Sequence, residues 1–527
     1  MLTTATTALP RRKLPIGIQS FAKIRGDNYY YVDKTSIALD LIDQGSYYFL
    51  SRPRRFGKSL FLDTLKELFE CNQALFKDLA ADARWDWSVK YPVIRISFGS
   101  GVLQSREQLD QRIRDILRVN RVYLDVQLPK NLPDTDIAGN FADLILQAHQ
   151  KYGRRAVVLI DEYDKPILDN ISTPPIATDL REGLKNLYTV LKDADEHLKF
   201  VFLTGVSKFS KVSLFSGLNN LQDITLDARY STICGYTDAN IDTVFAPELP
   251  GLDRQEIRNW YNGYNWLGDS VYNPFDALLL FSTRMFKAHW FETGTPTFLI
   301  KLLAEKHFFS PDLVRLHSSL ELLSTFDVDN ISPEALMFQS GYLTIVQCEQ
   351  AVPGIWAFTL GYPNREVESS LNAALLGGYG VSERTSFETR LQLIQVLRSN
   401  NLASLKTLFH AFYATIPHQW YTKNELAGYE GYYASIFYSH FAALGLDITL
   451  EDTTNLGRID MAVRFEKKIY IFEFKVVELT PNGSALQQMK DLQYADKYRA
   501  HKQPIYLIGV EFSKKSRNIV GFEMDTV

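Results

Sequence analysis

The chain has 527 residues and carries 57 Lys and Arg against 61 Asp and Glu, a formal net charge of −4, which excludes a bulk polycation. It does not exclude nucleic acid, because a binding groove needs only a local basic patch. A hydrophobic share of 46% with 13% aromatic residues excludes a disordered chain, and the length calls for roughly two to four domains.

Cys71, Cys234 and Cys348 lie too far apart for a CxxC motif, and an odd count cannot complete a disulfide framework, so a reducing, cytoplasmic setting is expected. The Thr- and Ala-rich first ten residues lack the charge-then-apolar order of a secretory signal. No apolar run approaches the roughly 18 residues of a membrane helix, so no membrane partner is expected. The nine histidines show neither HxxH nor HExxH spacing, which speaks against zinc.

From Leu14 to Ile233 short β-rich runs alternate with longer helical patterns, as in a parallel α/β sheet. Ser46–Leu50, Ala156–Ile160 and Phe200–Thr204 read as buried central strands whose polar ends face a ligand at the carboxyl edge of the sheet. After Gly235 the texture changes to short helices and aromatic turns such as Trp260-Tyr261-Asn262-Gly263-Tyr264. A helical stretch at Pro296–Lys306 precedes Gly341–Val346 and Ile355–Leu360, two strand-like runs around a Pro-Gly turn, which predict a winged-helix-like element. Gly377, Gly378 and Gly380 mark a junction between Ser370 and Ser386. The expected domains are residues 1–235 (nucleotide-binding, α/β), 236–368 (a helical lid and winged-helix-like region) and 386–527 (mixed α/β).

The run Ser51-Arg52-Pro53-Arg54-Arg55-Phe56-Gly57-Lys58-Ser59 lies between a predicted strand and a predicted helix, the setting of a phosphate-binding P-loop. Gly57 lets backbone N–H groups approach phosphate, Lys58 can reach the β- and γ-phosphates, and the Ser59 hydroxyl can ligate Mg²⁺. Arg52 stands where such loops have their first glycine. A second apolar strand ends in Asp161 and Glu162, which suit metal binding and activation of an attacking water. The expected nucleotide set is Arg55, Phe56, Gly57, Lys58, Ser59, Leu60, Asp161 and Thr204, the last as a polar sensor at a third strand end, with ATP and Mg²⁺ as cofactors. Arg52, Arg54, Arg55 and Arg229 are the candidates for an arginine finger.

Near the C-terminus, Gly457–Phe465 and Lys468–Val476 read as a hairpin turning at Glu466–Lys467. Strand alternation puts Glu473 and Lys475 on one face and Phe472 and Phe474 on the other. A turn centred there sets Asp460 directly opposite Glu473, where two carboxylates repel unless a cation lies between them. The expected metal is Mg²⁺, with Mn²⁺ as an alternative, and Lys475 would assist the attacking water. Glu430, opening an aromatic helical stretch, is a further candidate metal ligand, and Gln488, Lys490, Tyr494 and Lys497 are candidate phosphate contacts.

Taken together, Leu14-Pro15-Ile16-Gly17, Tyr31-Val32-Asp33-Lys34-Thr35, Arg52–Ser59, Leu159-Ile160-Asp161-Glu162-Tyr163-Asp164, Ile233-Cys234-Gly235-Tyr236-Thr237 and Trp290–Pro296 resemble the bacterial AAA-ATPase-like family. Gly457-Arg458-Ile459-Asp460 and Phe472-Glu473-Phe474-Lys475 resemble the PD-(D/E)XK nuclease motif often fused to it, with Ile459 where the signature proline stands. The resemblance implies that Arg52 belongs to the family's own loop. It also implies that Lys58, Ser59, Asp161 and Glu162 serve a nucleotide and that Asp460, Glu473 and Lys475 form a nuclease centre. The expected partner is nucleic acid, with DNA the leading substrate and RNA the alternative. A homo-oligomer through the ATPase domain is a further expectation. The rival reading is a nucleotide-driven switch that binds DNA or a protein, its nuclease fold not cutting.

Overall fold

The structure is a computed structural model that describes residues 10–128, 132–208, 214, 220–291, 299–300, 302–303, 310–320, 323, 332–378, 382–416 and 430–527. The chain divides into two compact units, residues 1–290 with 317–364, and residues 291–316 with 365–527. The boundary expected near residue 235 therefore falls inside the first unit, and 365–385 join the second. The predicted helix at Pro296–Lys306 lies largely outside the described residues.

In the first unit, helix α1 (Thr35–Gln44) leads into strand β1 (Tyr47–Ser51), the P-loop and helix α2 (Lys58–Phe69). Strand β2 (Val93–Ser97), helices α3 (Arg106–Leu124) and α4 (Ile137–Tyr152), and strand β3 (Ala156–Asp161) follow. Helix α5 (Pro174–Asp193), strand β4 (Leu198–Gly205) and the short β5 (Gln222–Asp223) complete a five-stranded parallel sheet ordered β2-β3-β4-β1-β5. The three predicted central strands are thus adjacent. Because both faces are covered by helices, β1 and β3 are buried at every residue, which is why they read as continuous apolar runs rather than alternating ones.

Residues 236–290 pack into this unit: Ile241, Phe245, Ile257, Tyr261 and Tyr272 share a core with Tyr30 and Val32, and with Ala277 and Leu280 of helix α6 (Pro274–Thr283). Strand β6 (Leu316–Ser319), helix α7 (Pro333–Ser340) and the hairpin β7 (Thr344–Val352) and β8 (Ile355–Gly361) form a three-stranded sheet ordered β6-β8-β7. The predicted hairpin forms, and the helix before it is α7 rather than the one expected at Pro296–Lys306. Six of the eight residues of α7 are buried, however, so its side chains face protein and not a groove of DNA.

The second unit stacks helices α8 (Arg365–Gly378), α9 (Glu383–Ser399), α10 (Ala403–Thr415) and α11 (Glu430–Ala442) on one face of a mixed sheet ordered β13-β12-β11-β10-β9. Its strands are β9 (Asp447–Thr453), β10 (Arg458–Phe465), β11 (Lys468–Val477), β12 (Ile505–Ser513) and β13 (Asn518–Thr526). Phe437, Phe441, Phe472, Phe474 and Phe512 fill that face. Helix α12 (Ser484–Asp491) covers the opposite face through Leu486 and Met489, against Ile459, Ala462 and Ile471.

Candidate functional site

At the carboxyl edge of the first sheet, register sets the chemistry. Leu50 pairs with Thr204 and Ser51 with Gly205, while Ile160 pairs with Leu203, so the ends of β1, β4 and β3 stand level. Beyond β1 the chain must reverse into α2 with its amides pointing inward. Arg55 and Gly57 do this with φ of 69° and 96°, the left-handed region where glycine is favoured. Phe56 anchors the turn: its ring is buried edge-on against Tyr264 and Trp266, at 4.7 and 5.5 Å, and its carbonyl accepts from Gly235 N at 3.2 Å. Phe56 therefore offers a nucleotide only its backbone, and the Arg54 and Arg55 side chains are exposed.

Lys58 is buried, with Nζ donating to the carbonyls of Arg52 and Pro53, both at 2.9 Å. Burial lowers its pKa, and nearby Asp161 raises it again. Ser59 and Leu60 are half-buried in the first turn of α2. At the strand ends Asp161 and Thr204 are buried, and among the described residues neither Asp161 Oδ1 nor Thr204 Oγ1 has a hydrogen-bond partner. Buried oxygens of this kind are costly unless satisfied, so the pair suits a cation and a phosphate oxygen. Glu162, at a φ of 51°, has its carboxyl raised by burial and by Asp161, with Lys58 opposing. The Arg55–Leu60 segment, Asp161, Glu162 and Thr204 thus bracket one edge of the sheet.

Two residues here carry roles that sequence reasoning missed. Arg52 is fully buried; it donates to Ser51 O at 2.8 Å, Thr225 O at 2.9 Å and Tyr230 O at 3.2 Å, and stacks 4.1 Å over Trp266. Desolvation brings its pKa down to about 10. It ties the loop's base to distant segments, which removes it from the finger candidates. Arg229 is held by Asp227 and Gln44. Asp164, quoted only as part of a motif, is buried and accepts from Val206 N at 3.0 Å, Ser207 N at 2.6 Å and Ser207 Oγ at 2.7 Å, clamping the segment after β4. A Cβ on Gly205 would lie 2.4 Å from Asp164 Oδ1, so only glycine fits beside it.

The second constellation lies on β10 and β11. Their turn is at Glu466 and Lys467, with φ of 44° and 60°, and the paired register runs from Phe465 opposite Lys468 to Met461 opposite Phe472, one residue short of Asp460 and Glu473. There Asp460 Oδ2 accepts from Phe474 N at 2.9 Å. Burial raises the Asp460 carboxyl, while the Phe474 amide and Lys475 partly offset it. Glu473 is buried, and its Oε1 accepts from Lys475 Nζ at 3.1 Å and from Gln488 Nε2. Gln488 is in place because α12 sits directly on β12: a Cβ on Gly509 would lie 2.5 Å from Leu486 N.

Two hard carboxylates with a lysine on the same face can hold Mg²⁺ or Mn²⁺, and the metal would polarise a phosphoryl oxygen and lower the pKa of a bound water. Among the described residues no group of three His, Cys, Asp or Glu side chains makes a complete metal cage. Glu430 opens α11, but its side chain lies outside the described residues. The four candidate phosphate contacts fall in different settings. Lys490 pairs with Asp525 at 2.7 Å, Lys497 pairs with Asp452, and buried Tyr494 donates to Arg458 O at 2.8 Å, so Gln488, turned onto Glu473, is the one that joins the centre.

A parallel sheet of this order, with a lysine-bearing loop after β1 and carboxylates after β3, defines the first unit as an AAA-like P-loop fold, and the carboxylate–lysine hairpin defines the second as a PD-(D/E)XK-type fold. The predicted AAA-ATPase family matches residues 15–215, and the PD-(D/E)XK nuclease superfamily matches residues 428–522. An uncharacterized protein in the vnfD 5′ region of Azotobacter chroococcum mcd 1 is 59% identical over 520 residues, covering 98% of this chain and 100% of that relative. The chain belongs to this family of predicted AAA-ATPases with a C-terminal PD-(D/E)XK nuclease superfamily domain. Among the described residues no helix is long and apolar enough to cross a membrane.

Proposed function

We propose that this chain is an ATP-binding and ATP-hydrolysing protein whose nucleotide state controls a Mg²⁺-dependent phosphodiesterase acting on DNA. Its reading rests on one observation: each unit gathers its own metal-and-phosphate constellation at one edge or one hairpin, the first around Lys58, Asp161 and Thr204, the second around Asp460, Glu473 and Lys475. In the first, Ser59 and Asp161 would hold Mg²⁺, Lys58 would exchange its loop carbonyls for phosphate oxygens, and Glu162, its pKa raised, would accept a proton from the attacking water. In the second, Asp460 and Glu473 would hold the metal, and Lys475 would orient the water for in-line displacement.

The competing reading is a nucleotide-driven switch that binds DNA or a protein without cleavage, and composition weakens one form of it, docking of DNA by the winged-helix-like region. From Leu316 to Asn364 the sequence contains no lysine or arginine, so that module cannot neutralise a phosphate backbone. Cleavage of plasmid DNA in Mg²⁺ by wild-type protein, lost in Lys475→Ala and in Glu473→Gln, is the expected result. Equal cutting by wild type and Lys475→Ala would remove the nuclease assignment.

A further inference from the structure

Two exposed apolar surfaces of the first unit belong to neither constellation. The first is the β7–β8 hairpin, exposed at every residue from Val346 to Trp356 except half-buried Cys348. Val346 is 63% exposed, Ile355 60% and Trp356 42%, with Val352 beside them. Glu349 is the hairpin's single charge. Its partner is therefore apolar and neutral to basic.

The second is the C-terminal half of α3, where Val119, Val122 and Tyr123 fall at i, i+3 and i+4 on one stripe, Val122 being 78% exposed. Exposed Arg118 borders the stripe, held only by the surface pair with Asp115 among the described residues, while Tyr123 Oη donates to Glu70 at the far end. A surface pair of this kind is weak and exchanges readily. Folded monomers seldom present apolar patches of this sort to water without a partner.

We propose that the hairpin of one copy docks on the α3 stripe of a second copy of this chain, with Trp356 as the anchor and Glu349 facing Arg118. The patches match in kind: an apolar tip with an acidic edge meets an apolar stripe with a basic edge. Helix α9, in the second unit, also exposes two apolar side chains, Phe387 and Leu391, and serves as the control surface. Because the two surfaces differ, the contact is head-to-tail, so each copy keeps one unused surface of each pair until the assembly closes. It requires neither nucleotide nor metal, and so stands apart from the proposed function.

Sedimentation velocity of the full chain, from low to high micromolar concentration, tests this. Wild type should self-associate, and Trp356→Glu and Val122→Glu should each weaken association by about tenfold or more. Mixed in equal amounts, those two variants should restore a two-chain species, since one retains the stripe and the other the hairpin. Leu391→Glu should behave as wild type. Circular dichroism confirms folding, and the milder pair Trp356→Ser and Val119→Ser replaces any variant that unfolds. A wild type that stays single-chained, variants that still associate, a mixture that fails to pair, or a Leu391→Glu protein that dissociates would each overturn the proposal.

Discussion

Replacing Arg52 by glycine restores the residue that common P-loops have at this point, yet it should damage the protein. Three carbonyls, Ser51 O, Thr225 O and Tyr230 O, receive the buried guanidinium, and Trp266 stacks on it. Leaving a buried acceptor unsatisfied costs about 1–3 kcal/mol, while deleting a buried cation that pairs with no carboxylate among the described residues returns some desolvation energy. A net loss of about 3–5 kcal/mol follows, equal to a melting temperature lower by roughly 10 °C. Arg52→Lys should recover only part of this, because one ammonium cannot span carbonyls on three segments. Urea midpoints for wild type, Arg52→Gly and Arg52→Lys give the magnitudes. A change within about 0.5 kcal/mol for Arg52→Gly would refute the structural role, as would nucleotide affinity that rises with the restored glycine.

Gly509→Ala places a Cβ against Leu486 N and should cost about 1–3 kcal/mol, lowering the melting temperature and reducing metal binding by moving Gln488 away from Glu473; calorimetry checks both. Because burial holds the Asp460 carboxyl above its usual value, its contribution to apo stability is present at low pH and lost as pH rises through the folded value. Asp460→Asn should therefore melt no lower than wild type above neutral pH without metal, and show no Mg²⁺-induced rise. Glu368 of α8 is raised from 4.5 to about 7 by burial, and it accepts from Tyr438 Oη at 3.1 Å. Its share of stability should fall between pH 4.5 and about 7, and Glu368→Gln should flatten that part of the melting profile.

What could be read from the residues was what depends on neighbours in sequence. The apolar runs of β1, β3 and β4 and the alternation in β11 are local patterns, and the Glu466–Lys467 turn sets the register of its own hairpin. Arg52 was opaque because its acceptors, Thr225 and Tyr230, lie more than 170 positions downstream, and nothing near it announces them. Asp164 was passed over for the same reason: its partner Ser207 is 43 positions away. Lys490 and Lys497 looked like free cations in sequence, but the fold brings Asp525 and Asp452 to them. The grouping of residues 236–290 with the first unit followed from tertiary packing on Tyr30 and Val32, which no composition shift reveals.

The most direct test of the central claim is plasmid cleavage in Mg²⁺ with and without ATP, comparing wild type with Lys58→Ala and with Lys475→Ala. Cutting should require Lys475, ATP should change the wild-type rate, and Lys58→Ala should remove the ATP effect while leaving the nuclease centre intact. A cleavage rate identical with and without ATP, and unchanged by Lys58→Ala, would contradict control of one site by the other.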